Sequence, residues 1–358
     1  MMQMKAAIYH GPGDIRIEEI ERPVAGDHGI VLRVRASGIC PLMDLPRYKK
    51  KLLDCATGIA LGHEFSGDVV EIGPGVTEVK PGDKVHGLSF RPCYHCDNCR
   101  SGDYGRCRNF TSGTSGTWIN GSFAEYLEFP FVSQGNIIRL PDNISHRDGA
   151  LIEPLGIGIG LADKAGAGDV VAVLGQEFNG LATLACLKRK GVAKVIVCDE
   201  SPLRLEKSRE LGADIVINSL DTDLAETVME VTSGKGVDVV IETAGLPATF
   251  RQAIDIVREH GHVWLGSFYD GPFMFDPSFQ RPDRPHSNLT QKGGMAIHCA
   301  WMTLGDRMER RQQAVEMIQA GIMTAGKFVT GVFPLDQTTE AFEKALNPDE
   351  SIKILVEP

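Results

Sequence analysis

At 358 residues, with 42% hydrophobic and 23% charged side chains, the chain is long enough for two domains with cores of their own and ordinary for a soluble globular protein. Its net charge of -10 argues against a non-specific nucleic-acid surface, and no apolar run is long enough to span a bilayer. Met1-Met2-Gln3-Met4-Lys5 passes straight into a strand-like segment with no leader pattern, so a cytoplasmic protein is expected, and nine cysteines, an odd number, then fit metal better than disulfides.

Residues 4–36 alternate short apolar runs with turn signals. Lys5–Tyr9 and Ile30–Val34 read as strands, and Pro12-Gly13 and Ala25-Gly26-Asp27 as turns. Further strands are expected at Gly67–Ile72 and Asp83–Gly87, and this regular spacing suggests a barrel-like β domain. Between the strands lie Cys40, in Ser37-Gly38-Ile39-Cys40, and Gly62-His63-Glu64. Alone, His63-Glu64 reads as a buried imidazole paired with a carboxylate. With Cys40 the two make a three-ligand set of the kind that leaves a fourth zinc position open for chemistry.

Cys93, Cys96, Cys99 and Cys107 follow with the spacing C-x2-C-x2-C-x7-C. Four thiolates this close can wrap one tetrahedral ion and leave no open position, so a structural zinc is expected in a lobe at about residues 90–110. Disulfides or an iron–sulfur cluster are the alternatives. His95, inside the lobe, reads as a solvated side chain. Residues 111–122 read as a loop, Phe123–Leu127 as a strand, and 150–164 as a Gly-punctuated helical stretch. Glu153, near its start, is either a carboxylate favoured by the helix dipole or a second carboxylate near the metal.

At Asp169 the pattern changes. Asp169–Leu174 is a continuous apolar run, as in a strand buried on both faces. Gly175-Gln176-Glu177-Phe178-Asn179-Gly180 follows, then a helix over Leu181–Lys190 and a second buried strand, Lys194–Cys198, closed by Asp199. This is the outline of a dinucleotide-binding βαβ unit. Strands at Asp214–Ile217, Val237–Glu242 and His262–Gly266 alternate with helices at Leu203–Leu211, Leu224–Val231 and Ala248–Arg258, which implies a parallel, doubly wound sheet. Ala296–Ala300 is expected to be its last strand. Residues 268–290 read as a loop, and Phe268, Tyr269, Arg281, Arg284 and Trp301 hint at a polar, partly aromatic pocket. The chain closes with helices at Glu309–Ala320 and near Thr339–Leu346, and a strand at Ile352–Val356 that is expected to rejoin the first domain.

Taken together, these motifs resemble the zinc-containing medium-chain dehydrogenases over essentially the whole chain. The matching stretches are Gly38-Ile39-Cys40, Gly62-His63-Glu64, the four-cysteine lobe, Gly121–Tyr126 and the nucleotide unit, and Glu153-Pro154-Leu155 looks like the sorbitol-type, polyol branch. The resemblance implies an α/β protein: a GroES-like β-barrel catalytic domain (1–155 and 301–358) plus a doubly wound parallel Rossmann domain (156–300). It implies a catalytic zinc on Cys40, His63 and Glu64, with Glu153 ligating it or holding its water. Around the cofactor it implies Gly175, Asn179 and Gly180 at the pyrophosphate, Asp199 and Arg204 at the adenosine ribose, and Leu265 and Gly266 beyond them. The activity implied is hydride transfer between an alcohol, polyol or sugar-type hydroxyl and NAD, with NADP disfavoured by Asp199, in a homodimer or homotetramer without nucleic-acid or membrane partners.

Two departures stand out. The family follows this cysteine with Ser or Thr two residues on, then Asp; here Leu42 and Met43 intervene and Asp44 comes one residue later. The loop therefore has an extra residue or the proton relay differs. Glu177 stands where the turn motif has its middle glycine, and is expected to weaken nucleotide binding. Both features leave open a non-catalytic or weakly active binding or regulatory relative. A zinc-independent quinone reductase would leave His63-Glu64 and the lobe unexplained.

Overall fold

Alternation of apolar and polar residues makes sheets with one face in a core, and continuous apolar runs make sheets covered on both faces. Both kinds occur here. The computed structural model describes residues 2–49, 55–88, 93, 95–101, 107–108, 115–132, 136–269, 294–300 and 308–358. The chain divides into two units, Met1–Gly156 with Gly305–Pro358, and Ile157–Leu304.

The first stretch carries β1 (Gln3–Gly11), β2 (Asp14–Glu21), β3 (Ile30–Gly38), α1 (Asp44–Lys49), β4 (Ile59–Ala60), β5 (Glu64–Ile72), β6 (Lys84–Gly87), α2 (Asp97–Arg100), β7 (Tyr126–Phe129), β8 (Ile137–Arg139) and α3 (His146–Ala150). The chain continues through α4 (Ile152–Ala162), β9 (Val170–Leu174), α5 (Phe178–Lys190), β10 (Lys194–Asp199), α6 (Pro202–Glu210), β11 (Ile215–Asn218), α7 (Leu224–Val231), β12 (Val237–Glu242), α8 (Pro247–Ile256), β13 (Val257–Leu265) and β14 (Ala296–Cys299). It ends with α9 (Met308–Gln319), α10 (Ala325–Phe328), β15 (Val329–Pro334), α11 (Thr338–Ala345) and β16 (Lys353–Glu357).

In the first unit, β2-β1-β4 form one sheet and β15-β16-β3-β5-β6-β8 run through a second, with β7 also paired to β3. The C-terminal strand rejoins this unit: β16 pairs β3 with Leu355 opposite Gly38, and β3 pairs β5 with Gly38 opposite Glu64. Ile30, Leu32, Val34, Phe65 and Val69 fill one core, while Tyr9, Leu61, Phe123, Phe342 and Val356 fill another.

The second unit holds six parallel strands in the order β11-β10-β9-β12-β13-β14, the doubly wound arrangement. Its strands show why the apolar runs are continuous. Val171, Val173, Val195 and Val197 pack into one core, while Ala172, Leu174, Ile196 and Cys198 pack into the core on the other face. Strand order reverses between β9 and β12, and ligands of such sheets bind outside the carboxyl ends of the strands at that switch point. One boundary differs in a way that matters. Helix α5 starts at Phe178, three residues earlier than its apolar pattern indicates, so Asn179 and Gly180 lie in its first turn. Arg281, Arg284, Trp301 and residues 270–290 of the expected loop lie outside the described residues.

Candidate metal and cofactor sites

Cys40 lies two residues beyond the end of β3, His63 between β4 and β5, and Glu64 opens β5. Antiparallel pairing of β3 with β5 brings the three together. One donor atom from each lies within 4.8 Å of the others, and all three residues are buried. Neither Glu64 Oε1 nor His63 Nδ1 has a hydrogen-bond partner. Burial drives the Cys40 thiol well above its ordinary range, helped by the charges of Glu64 and Asp44, and burial lowers the His63 imidazole to about 4. The neutral imidazole and the partnerless carboxylate oxygen are acceptors without a donor, and the thiol needs a positive charge beside it to ionise. A divalent cation supplies that charge and takes each as a ligand, so the residues present fit zinc.

Three buried cations complete the surroundings, and none of the three was marked by the sequence motifs. Lys353, fully buried, makes an ion pair with Glu64 Oε2 and donates to Ile39 O at 3.0 Å. Arg47 donates to Gly116 O and Thr117 Oγ1, both at 3.0 Å, and Arg311 donates to the ring of His86 and, at 2.9 Å, to Gly87 O. A single Lys in an otherwise apolar terminal strand is a sequence signal for a buried partner, because an unpaired charge is too costly there.

The shifted Asp44 still reaches the site. Its Oδ2 accepts the Cys40 amide at 3.0 Å, and its Oδ1 lies 3.7 Å from His63 Nδ1. Burial pushes its carboxyl up to about 6. The turn after Cys40 thus holds one extra residue, with Leu42 and Met43 buried. Glu153, in the first turn of α4, raises the Cys40 thiol through its charge but stands outside the 4.8 Å set.

In the lobe, donor atoms of Cys93, Cys96, Cys99 and Cys107 lie within 4.8 Å of one another, and none of the four is in a disulfide. The Cys96–Cys99 and Cys93–Cys99 sulfur distances are 3.4 and 3.9 Å. Tetrahedral zinc with bonds of about 2.3 Å holds its sulfurs about 3.8 Å apart. A backbone hydrogen bond from Arg108 lowers the Cys96 thiol to about 6, toward the thiolate that binds metal. His95 is exposed, with its Nδ1 2.6 Å from Cys93 O.

In the second unit, β9 ends at the turn Gly175-Gln176-Glu177, and Glu177 occupies the position before α5. Gly175 has φ +93°, and a Cβ on Gly180 would meet Gly175 O at 2.0 Å, so both must be glycine. Glu177 has φ -62°, which any residue adopts. Its carboxyl is buried, and Oε2 has no partner; Asn179 Oδ1 is buried and unpartnered too. Asp199 is held by three backbone amides, Gln176 N at 2.6 Å, Glu200 N at 2.8 Å and Ser201 N at 2.9 Å, with Arg204 NH1 at 4.0 Å. Leu265 ends β13, and the Gly266 amide donates to Glu242 O at 2.7 Å. Sequence reasoning missed Glu242, which is buried at the end of β12 and accepts from Gly245 N, Thr249 Oγ1 and the Tyr269 hydroxyl.

Residues 26–142 match the alcohol dehydrogenase GroES-like domain, and residues 180–319 the zinc-binding dehydrogenase domain. Sorbitol dehydrogenase of Bacillus subtilis is 30% identical over 99% of this chain and 97% of its own length. (R,R)-butanediol dehydrogenase of the same organism is 32% identical over 99% and 100%. A zinc-binding dehydrogenase of Sinorhizobium meliloti, solved with NADP bound, superimposes with a TM-score of 0.82 at 25% identity, covering 100% of both chains. The chain belongs to the zinc-containing medium-chain dehydrogenases, on the sorbitol-dehydrogenase-like branch. It is an enzyme of the oxidoreductase class, and the relatives do not favour a non-catalytic reading.

Proposed function

We propose that this protein oxidises a small alcohol or polyol, or reduces the matching ketone, with a nicotinamide dinucleotide as hydride partner. The observation that carries this reading is the buried Cys40, His63 and Glu64 set with its orphaned donor atoms. Zinc bound there supplies Lewis acidity that lowers the pKa of a substrate hydroxyl. The chain's own residues do the rest. Cys40, His63 and Glu64 hold the metal, and Lys353 holds Glu64 in place. Asp44 fixes the Cys40 backbone, and Glu153, whose charge is felt at Cys40, acts as a proton acceptor through water. In the second unit, Asp199 accepts from a ribose hydroxyl and repels a 2′-phosphate, which favours NAD. Two zinc ions per chain, a homo-oligomer and a cytoplasmic setting complete the proposal.

Metal analysis of the purified protein, followed by reduction of NAD and NADP against a panel of polyols, sugars and simple alcohols, tests it. Two zincs per chain and turnover with a vicinal diol or sugar alcohol are expected. A zinc-replete protein that reduces neither dinucleotide with any member of the panel would overturn the reading.

A further inference from the structure

Glu177 creates a conflict that the backbone does not require. Gly175 and Gly180 keep the turn's geometry, while the middle position, free of conformational constraint, carries a carboxyl at the N-terminus of a 13-residue helix. That side chain is 8% exposed, does not cap its own helix, and has an oxygen with no partner. A buried acceptor without a donor is destabilising, so this position calls for a donor or a proton. A diphosphate offers only acceptor oxygens. An ionised Glu177 and a diphosphate therefore repel each other at the one place where the turn would seat it. A protonated Glu177 instead donates a hydrogen bond to a phosphate oxygen.

The charges facing Glu177 come from three elements. Arg204 on α6 attracts it, while Asp199 at the end of β10 and Glu242 at the end of β12 repel it. The cation is also shared with Asp199, and Glu242 is already committed to Gly245, Thr249 and Tyr269. Neutral Asn179, alongside, can turn its amide NH2 toward a phosphate, a choice a carboxylate does not have.

We infer that the dinucleotide binds with Glu177 in its neutral carboxylic-acid form, so that wherever this side chain is ionised in the free protein, cofactor binding takes up one proton from solvent. The inference rests on the proposed dinucleotide reading. The balance is simple: the proton leaves water, settles on the Glu177 carboxyl and is donated toward the diphosphate, with no other bond made or broken. Burial already raises the Glu177 carboxyl to about 8 before the anion arrives, and the anion raises it further. Below about pH 8 binding is therefore nearly independent of pH through this group. Above it, each pH unit weakens binding about tenfold.

Calorimetric titration of NADH and of NADPH into the zinc-loaded full-length protein, from pH 6.5 to about 9.5, tests this, using buffers of different ionisation enthalpy to count protons. Near pH 9 uptake should approach one proton per dinucleotide, with affinity falling about tenfold per unit. Glu177→Gln should bind with no uptake at this site and a flat profile, and Glu177→Gly should behave likewise. Wild-type binding near pH 9 without proton uptake, or uptake that persists in Glu177→Gln, overturns the inference and leaves the proposed activity standing. If neither dinucleotide binds the wild type or either variant at any pH, the proposed cofactor class fails, and this inference with it.

Discussion

Replacing Lys353 by Met removes one buried charge while keeping an unbranched apolar stem of similar length. The consequence falls on Glu64, whose carboxylate is fully buried and in contact with the lysine ammonium. Removing one partner of a buried ion pair costs roughly 3–5 kcal/mol, because the remaining charge is left uncompensated. Ile39 O also loses its donor, which adds about 1 kcal/mol. For a unit of this size each kcal/mol lowers the melting temperature by about 2–4 °C, so a fall of roughly 8–24 °C is expected in metal-stripped protein. Zinc changes the result: a cation ligated by Glu64 replaces the missing charge, and the deficit against wild type should shrink when both proteins are zinc-loaded. Glu64→Gln/Lys353→Met removes both charges and should recover most of the loss, since a neutral pair in a dry core is often no worse than an ionic one. Chemical denaturation of wild type, Lys353→Met, Glu64→Gln and the double variant, with and without zinc, gives the coupling energy directly. A Lys353→Met deficit below about 1 kcal/mol, or a double variant no more stable than the single, would refute the argument.

Cys93→Ser should lose one zinc equivalent and melt lower than wild type, because metal binding at a closed site is also folding free energy; an unchanged zinc count would remove the lobe assignment. Cys40→Ser and His63→Ala should each abolish turnover while circular dichroism and lobe zinc stay as in wild type, and activity within threefold of wild type would rule these residues out as ligands. Glu177 also sets a pH dependence of stability. Its folded carboxyl is raised to about 8, so its neutral form favours the fold below the unfolded value near 4.5, and that contribution is lost as pH rises through about 8. Glu177→Gln should flatten the decline in stability over this range, and parallel wild-type and variant curves would show that the carboxyl is solvated.

The parts of this molecule that were legible share one physical cause. Residues 170–174, 194–199 and 237–242 lie in a sheet covered on both faces, so their apolar runs are unbroken and their chain order reveals the topology. The cysteine lobe was legible because all its ligands are local. Elements with weaker signals escaped. Strand β2, Asp-Ile-Arg-Ile-Glu-Glu-Ile-Glu, carries five charges on a half-exposed surface, and α1 is a six-residue helix with a proline inside it. Strand β13 begins at Val257, directly after α8, where the pattern had extended the helix to Arg258. The site was legible only where ligand types cluster in sequence. Lys353 is nearly three hundred residues from Glu64, and no local pattern joins them; the β16–β3–β5 ladder does.

The net charge of -10 says little about either site, because each is set by its own buried charges. In the first, Arg47, Lys353 and Arg311 are all buried and all disfavour a protonated His63. Against them stand Glu64 and Asp44, whose charges add to burial in holding the Cys40 thiol neutral, so the donors there are readied for a cation held between them. In the second, Asp199, Glu177 and Glu242 crowd the carboxyl ends of β10, β9 and β12 with Arg204 as the opposing charge on Glu177, and the field opposes an anion. On the proposed reading the second unit seats a diphosphate, and each negative charge removed from these strand ends eases that. Protonation of Glu177 removes one of the three, which makes this position, where the glycine motif breaks, the place at which pH would act on the cofactor.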